Sequence, residues 1–238
     1  MKNILITNDD GIESDGLLRL ARVAAEYGKI WIVAPDGERS ASSHSITLHS
    51  EFEIHPYNYP IKGAAAYSCS GTPADCIRVG AVSIMPVKPD VVLSGINNGY
   101  NVATDLQYSG TAGAAFEGAF QGCLSVAFSE GYNGSHVITD KYLPEILSKI
   151  LETNIGFGQI WNVNFPECSL KDFNGILGNR KVSHGMFYKD RYKTLEKLSD
   201  GGSIVKVDGT YTPFAEEGSD MQAILDNYIS ISLVNNIK

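Results

Sequence analysis

The chain has 238 residues, 43% of them hydrophobic and 19% charged, with a formal net charge of −8. That length supports one compact domain with a sizeable core, or one domain with an appended arm. The acidic balance excludes a general nucleic-acid binder, because backbone binding depends on Lys and Arg neutralising phosphates; a small anionic ligand held by a local site stays open. No apolar run approaches ~20 residues, so no membrane span is expected. The opening stretch Met1–Thr7 is followed by polar residues too soon for a secretory leader. Four cysteines, at 69, 76, 123 and 168, lack CxxC or zinc spacing and read as reduced, buried thiols of a cytoplasmic protein. In that compartment Asn133-Gly134-Ser135 is a chance match to a glycosylation triplet.

Ile4-Leu5-Ile6 reads as a short buried strand. A helical stripe follows over Leu17, Leu18, Ala21 and Val23 to Ala25, with Asp15 as its expected N-cap and Gly28 as its stop. Ile30–Ala34 predicts a second strand, and Thr72-Pro73 supplies a cap and a first-turn proline for a helix over Asp75–Ile84. Val91–Leu93, Leu124–Phe128 and Ile160–Val163 predict further strands, and Ala112–Phe120 and Leu143–Leu151 predict helices. Strands apolar on both faces that alternate with helices specify an α/β fold, a mostly parallel sheet with helices on both sides. From about Pro166 onward helical periodicity fades, although Tyr228–Val234 alternates with period two. Residues 1–165 are therefore expected to form the core. Residues 166–238 are expected to be strands and hairpins that leave it, without forming an independent domain.

In such a sheet, ligands sit beyond the carboxyl ends of the strands. After the first strand comes Asn8-Asp9-Asp10-Gly11. Two adjacent carboxylates in a cleft repel each other and lose hydration, and a hard divalent cation relieves both costs. The same residues also suit a solvated turn with a helix cap. After the second strand comes a hydroxyl-rich loop, Pro35–Ser45, which holds Ser40, Ser43 and His44. After Val91–Leu93 comes Asn97, whose amide oxygen is a neutral hard ligand. Ser109-Gly110-Thr111 then opens a helix of small residues, where free backbone N–H groups and two hydroxyls can cradle an anion or simply cap the helix. Together these segments assemble a cation site beside an anion site, an arrangement suited to phosphate ester hydrolysis. The rival signatures are missing: no GxGxxG after the first strand, no P-loop, no GxSxG elbow and no HExxH.

Several ordered blocks resemble the SurE family of survival proteins. They are Ile6-Thr7-Asn8-Asp9-Asp10-Gly11, Val33-Ala34-Pro35-Asp36 with Arg39-Ser40, Gly71-Thr72-Pro73-Ala74-Asp75-Cys76, Ser94-Gly95-Ile96-Asn97, and Tyr108-Ser109-Gly110-Thr111 with Glu117-Gly118. Weaker similarity continues through Asn162–Pro166, Gly218-Ser219-Asp220 and Tyr228–Ile231. The resemblance implies a Rossmann-like three-layer core with a C-terminal hairpin arm exchanged between subunits of a homodimer or tetramer. It implies a phosphatase for nucleoside monophosphates, 5′ and in some members 3′, with some members trimming short polyphosphate. It implies one divalent cation, Mg2+ or Mn2+, on Asp9, Asp10, Ser40 and Asn97, with Asp9 and Asp10 catalytic. Asn8, Ser40, Ser43, His44, Asn97, Ser109, Gly110 and Thr111 are the expected substrate or phosphate contacts. Whether water or an Asp carboxylate attacks phosphorus stays open, as do a phosphatase for another small ester and a nucleotide-binding regulatory protein. Two departures fall in the second loop: Ala41 follows Ser40 where the family usually has Gly, and His44 stands where many members have Asn.

Overall fold

Helices cover both faces of the central sheet, which is why the apolar runs form its parallel strands. In the computed structural model, residues 1–132, 134–212 and 214–237 are described; Asn133 of the glycosylation-type triplet lies outside them. The chain runs β1 (Lys2–Thr7), α1 (Asp15–Ala24), β2 (Gly28–Pro35), β3 (Ile54–Tyr57), β4 (Ala65–Cys69) and α2 (Pro73–Val79). A π-helical turn at Gly80–Ile84 leads to β5 (Val91–Asn98), and a 3-10 turn at Ala103–Gln107 leads to α3 (Gly110–Phe120). Then come β6 (Leu124–Glu130), α4 (Val137–Ile150) and β7 (Gln159–Phe165). The last third holds β8 (Gly175–Leu177), β9 (Tyr188–Lys189), β10 (Tyr192–Lys197), β11 (Ser203–Val207), β12 (Thr210–Tyr211), α5 (Asp220–Leu225) and β13 (Tyr228–Asn235).

The main sheet has the order β3-β4-β2-β1-β5-β6-β7-β13-β8. Its centre is parallel; β3 joins β4 and β13 joins β7 antiparallel. Alternate residues of β1 serve opposite faces, as strand geometry requires. Ile4 and Ile6 pack with Leu17, Leu20, Leu143 and Leu147 from α1 and α4. Leu5 packs with Cys76, Ile77 and Ala114 from α2 and α3.

Three expectations need correction. The cap of α1 is Ser14, whose side chain accepts from Leu17 N, and Asp15 is the first helical residue. Gly28 opens β2 instead of ending α1; a Cβ there would run into the Lys2 carbonyl of the paired strand. The last third does not wholly leave the core, because β13 extends the main sheet beside β7 and buries Ile229. Only β9–β12 leave it, as two small antiparallel pairs. Thr72 caps α2 as expected, in a capping box with Asp75.

Candidate active site

The turn after β1 is built by Asn8. Its Oδ1 accepts from Gly11 N at 3.2 Å, and its Nδ2 donates to Gly11 O at 3.1 Å and to Ser14 Oγ at 2.6 Å. Asn8 is fully buried with both ends of its amide committed to the turn. It shapes the turn that carries the two carboxylates. Gly11 sits at φ +107°, a conformation side chains rarely adopt. This tight turn delivers Asp9 and Asp10 to the carboxyl edge of the sheet.

Asp9 is held by the start of α3. The Thr111 hydroxyl donates to Asp9 Oδ1, and Ser109 caps the helix through Ala112 N at 3.0 Å. Burial pushes the Asp9 pKa up, and the Thr111 hydroxyl and backbone N–H pull part of that back. The positive end of α3 is thus already turned on a carboxylate. The Thr111 hydroxyl thereby orients Asp9. Ser109 lines the cleft, and Gly110 lets the helix approach: a Cβ there would stand 2.5 Å from Ser42 Oγ and 3.0 Å from Asp9 Cβ.

Asp10 accepts from Asn98 N at 3.4 Å, and its pKa is pushed up to about 6 by burial and then by the charge of Asp9. The β5–β6 ladder shifts register between Ser94 and Asn97. Beyond that irregularity Asn97 donates Nδ2 to Gly99 O at 2.8 Å, so its Oδ1 is the end it can offer the cleft. Ser40 donates to Glu38 Oε1 at 2.7 Å, which leaves the lone pairs of its oxygen. All four expected cation ligands line one cleft of about 700 Å3.

The cleft also contains residues that sequence reasoning missed. Glu38, Asp105 and Asp190 add carboxylates, and Tyr100, Tyr132 and Tyr188 add rings. Burial and then Asp190 push the Asp105 pKa up to about 6. Asn101, also in the cleft lining, is pinned by Asn164 Oδ1 and Ser129 Oγ, both at 2.8 Å. Buried Asp220 accepts from the N–H groups of Ala103, Ser183 and Met221 at 3.2, 2.9 and 2.7 Å. It thereby ties the 3-10 turn that carries Asp105 to the base of the arm. The signal for Asp220 was the Gly218-Ser219-Asp220 block.

Among the described residues no Lys or Arg lines this cleft, although five carboxylates do. Among the described residues no three His, Cys, Asp or Glu side chains gather to hold a metal by themselves. A cation there would draw on the neutral oxygens of Ser40 and Asn97 as well. Ser42 Oγ is buried with no hydrogen-bond partner, beside the same Gly110 that faces Asp9. Paired acids without a counter-charge and all-oxygen donors fit a hard divalent cation.

A family profile described as "Survival protein SurE" matches residues 4–186. The chain belongs to the SurE family. A relative from Clostridium botulinum (strain Loch Maree / Type A3), named "5'-nucleotidase SurE", is 36% identical over 97% of this chain and 91% of its own length. One of the same name from Caldanaerobacter subterraneus subsp. tengcongensis is 35% identical over 98% and 91%. The crystal structure of SurE protein from Aquifex aeolicus superposes with a TM-score of 0.81 at 32% identity, covering 98% of this chain and 93% of that one.

The two departures from the SurE pattern have different weight. Ala41 sits at φ +56°, in the left-handed region that suits the glycine the family usually has there. His44 does not line the cleft. Its Nε2 is 3.1 Å from Glu117 Oε2 and its ring stacks on Phe120. Ser43 likewise turns away, donating to Gln107 O at 2.7 Å. His44 holds the second loop to α3 and Ser43 holds it to the 3-10 turn. Of the four cysteines, three are buried and all are free.

Proposed function

We propose that this SurE-family chain is a divalent-cation-dependent phosphatase that hydrolyses nucleoside monophosphates to nucleoside and phosphate, of the 5′-nucleotidase type. The observation that carries the reading is the convergence of Asp9, Asp10, Ser40 and Asn97 on one cleft with no basic residue in its lining among the described residues. An anionic substrate would be repelled from such a cleft unless a cation lay between. The name shared by its relatives supports the same reaction.

Asp9, Asp10, Ser40 and Asn97 would hold Mg2+ or Mn2+, which supplies charge neutralisation at phosphate and activation of water. Thr111 holds Asp9 in one orientation. Ser109, which lines the cleft at the start of α3, would face the charge that grows on phosphate. The Asp9 and Asp10 carboxylates are the bases within reach of the attacking group. The arm, residues 185–214, exposes Leu195, Ile204, Val205 and Val207, and we assign it to subunit contact in a homodimer. Sedimentation as a monomer at micromolar concentration would contradict that assignment.

The test is phosphate release from a panel of nucleoside monophosphates and sugar phosphates, with Mn2+ or Mg2+ and again with chelator. Cation-dependent release that ranks nucleotides first is expected. Binding without turnover would replace the enzyme by a nucleotide-binding protein.

A further inference from the structure

The cleft has two chemically different ends. Asp9, Asp10, Ser40 and Asn97 crowd one end with oxygens. At the other, Tyr100, Tyr132 and Tyr188 line the cleft and also form the wall it shares with an adjoining cavity of about 570 Å3, which adds Phe187 and Tyr211. None of the four expected cation ligands lines that second cavity, so the aromatic end lies to one side of them. Among the described residues no Lys or Arg lines it either, so it offers a phosphate no counter-charge.

We infer that the aromatic end seats the nucleobase of the substrate, with Tyr132 and Tyr188 as its stacking faces and the arm as part of the substrate site. This deepens the nucleotidase reading and rests on it. Tyr132 is 75% exposed and Tyr188 45% exposed, although both wall a cavity. Large rings left in water at a cavity mouth form a platform for another ring. Their surroundings leave that platform clear. Phe187 meets Tyr188 at 76° and 5.1 Å between centroids, and meets Tyr100 at 79° and 6.1 Å. Such edge-to-face contacts brace the rings, and among the described residues no ring lies parallel on Tyr132 or Tyr188. Tyr100 is fixed beneath them, its hydroxyl accepting from Glu167 N at 2.7 Å. Every base has a π-face, so recognition by stacking tolerates different hydrogen-bonding edges and favours the larger purines over pyrimidines.

The test compares adenosine 5′-monophosphate with ribose 5-phosphate, which shares the phosphate and sugar but lacks the base. The full chain with Mn2+ is assayed as wild type, Tyr132→Ala, Tyr188→Ala and Tyr188→Phe, reading kcat/KM for each substrate and calorimetric binding of adenosine. Wild type prefers the nucleotide. Each Ala variant lowers the preference about tenfold and weakens adenosine binding about tenfold, while Tyr188→Phe keeps both. Thermal melts check that these exposed substitutions leave the fold intact. An unchanged preference in both Ala variants overturns the inference. Equal use of both substrates by wild type overturns it too and leaves a phosphatase without base recognition. Release from neither substrate overturns the nucleotidase reading itself.

Discussion

At the carboxyl edge of the sheet polar side chains are buried; along the arm apolar ones are exposed. Asn8, Asp9, Ser109 and Thr111 lie almost wholly inside, and Asn8, Asp9 and Thr111 are tied to one another's turns by hydrogen bonds. Leu195, Ile204, Val205 and Val207 lie in water on β10, β11 and their flanks. Each arrangement is unfavourable for a chain selected only to fold. Buried carboxylates lose hydration, and exposed apolar side chains invite association. The difference teaches that the first region commits its polar groups to fixed geometry, whereas the second leaves apolar area in water.

The comparison breaks most easily where the loops lean on α3. A Cβ on Gly113 would run into the Ser43 carbonyl, backbone against backbone. Gly113→Ala should lower stability by about 3 kcal/mol, at the upper end of overpacking costs, or push the second loop away and remove phosphate release. Chemical denaturation beside the phosphate assay separates these outcomes; wild-type values in both would show that the loop is not clamped.

A second prediction concerns pH. Burial and the charge of Asp9 raise the Asp10 pKa from 3.8 to about 6. An acid whose pKa is higher in the folded state holds its proton there, so the cation-free fold loses stability as pH rises from about 4 to about 6. A cation must displace that proton. Its affinity should therefore rise with pH across the range in which Asp10, and Asp9 whose pKa burial also raises, give up their protons, and level off above it. Titration of Mn2+ at pH 5, 6 and 7 reads this directly, and a flat response would place the cation elsewhere.

Two smaller effects sharpen the contrast. Ala41→Gly relieves the left-handed strain at φ +56° and should stabilise the chain by at most about 1 kcal/mol. Leu195→Ser on the arm should change the stability of the single subunit by less than about 0.5 kcal/mol. The same change should weaken self-association in sedimentation, and unchanged association would remove the arm from the interface.

The parallel strands were readable because burial on both faces leaves runs such as Ile30–Ala34 with no polar interruption. Asp9, Asp10 and Asn97 drew notice because each follows an apolar run, whereas Ser40 came from the family resemblance alone; the fold brings all four to one cleft. The outer strands β3 and β4 were not, since His55 and Ser68 break their apolar pattern. Helix α5, six residues long, is too short to show a period. Asp105, Tyr132, Tyr188 and Asp190 come from the 3-10 turn, the loop after β6 and the arm. No local pattern joins them, and only the folded chain brings them to one cleft. Ser43, His44 and Asn8 were read as ligand contacts because polar loop residues suit either role. Whether a hydroxyl or amide faces a ligand or the protein's own backbone is decided by tertiary packing.

The most direct measurement is phosphate release from adenosine 5′-monophosphate by wild type, Asp9→Asn and Asp10→Asn, each stripped with chelator and then reloaded with Mn2+. The account predicts that wild type recovers on reloading, while both variants stay at least about 100-fold slower with an unchanged melting profile at neutral pH or a more stable one. Near-wild-type release by both variants, or release that persists in chelator, would contradict it.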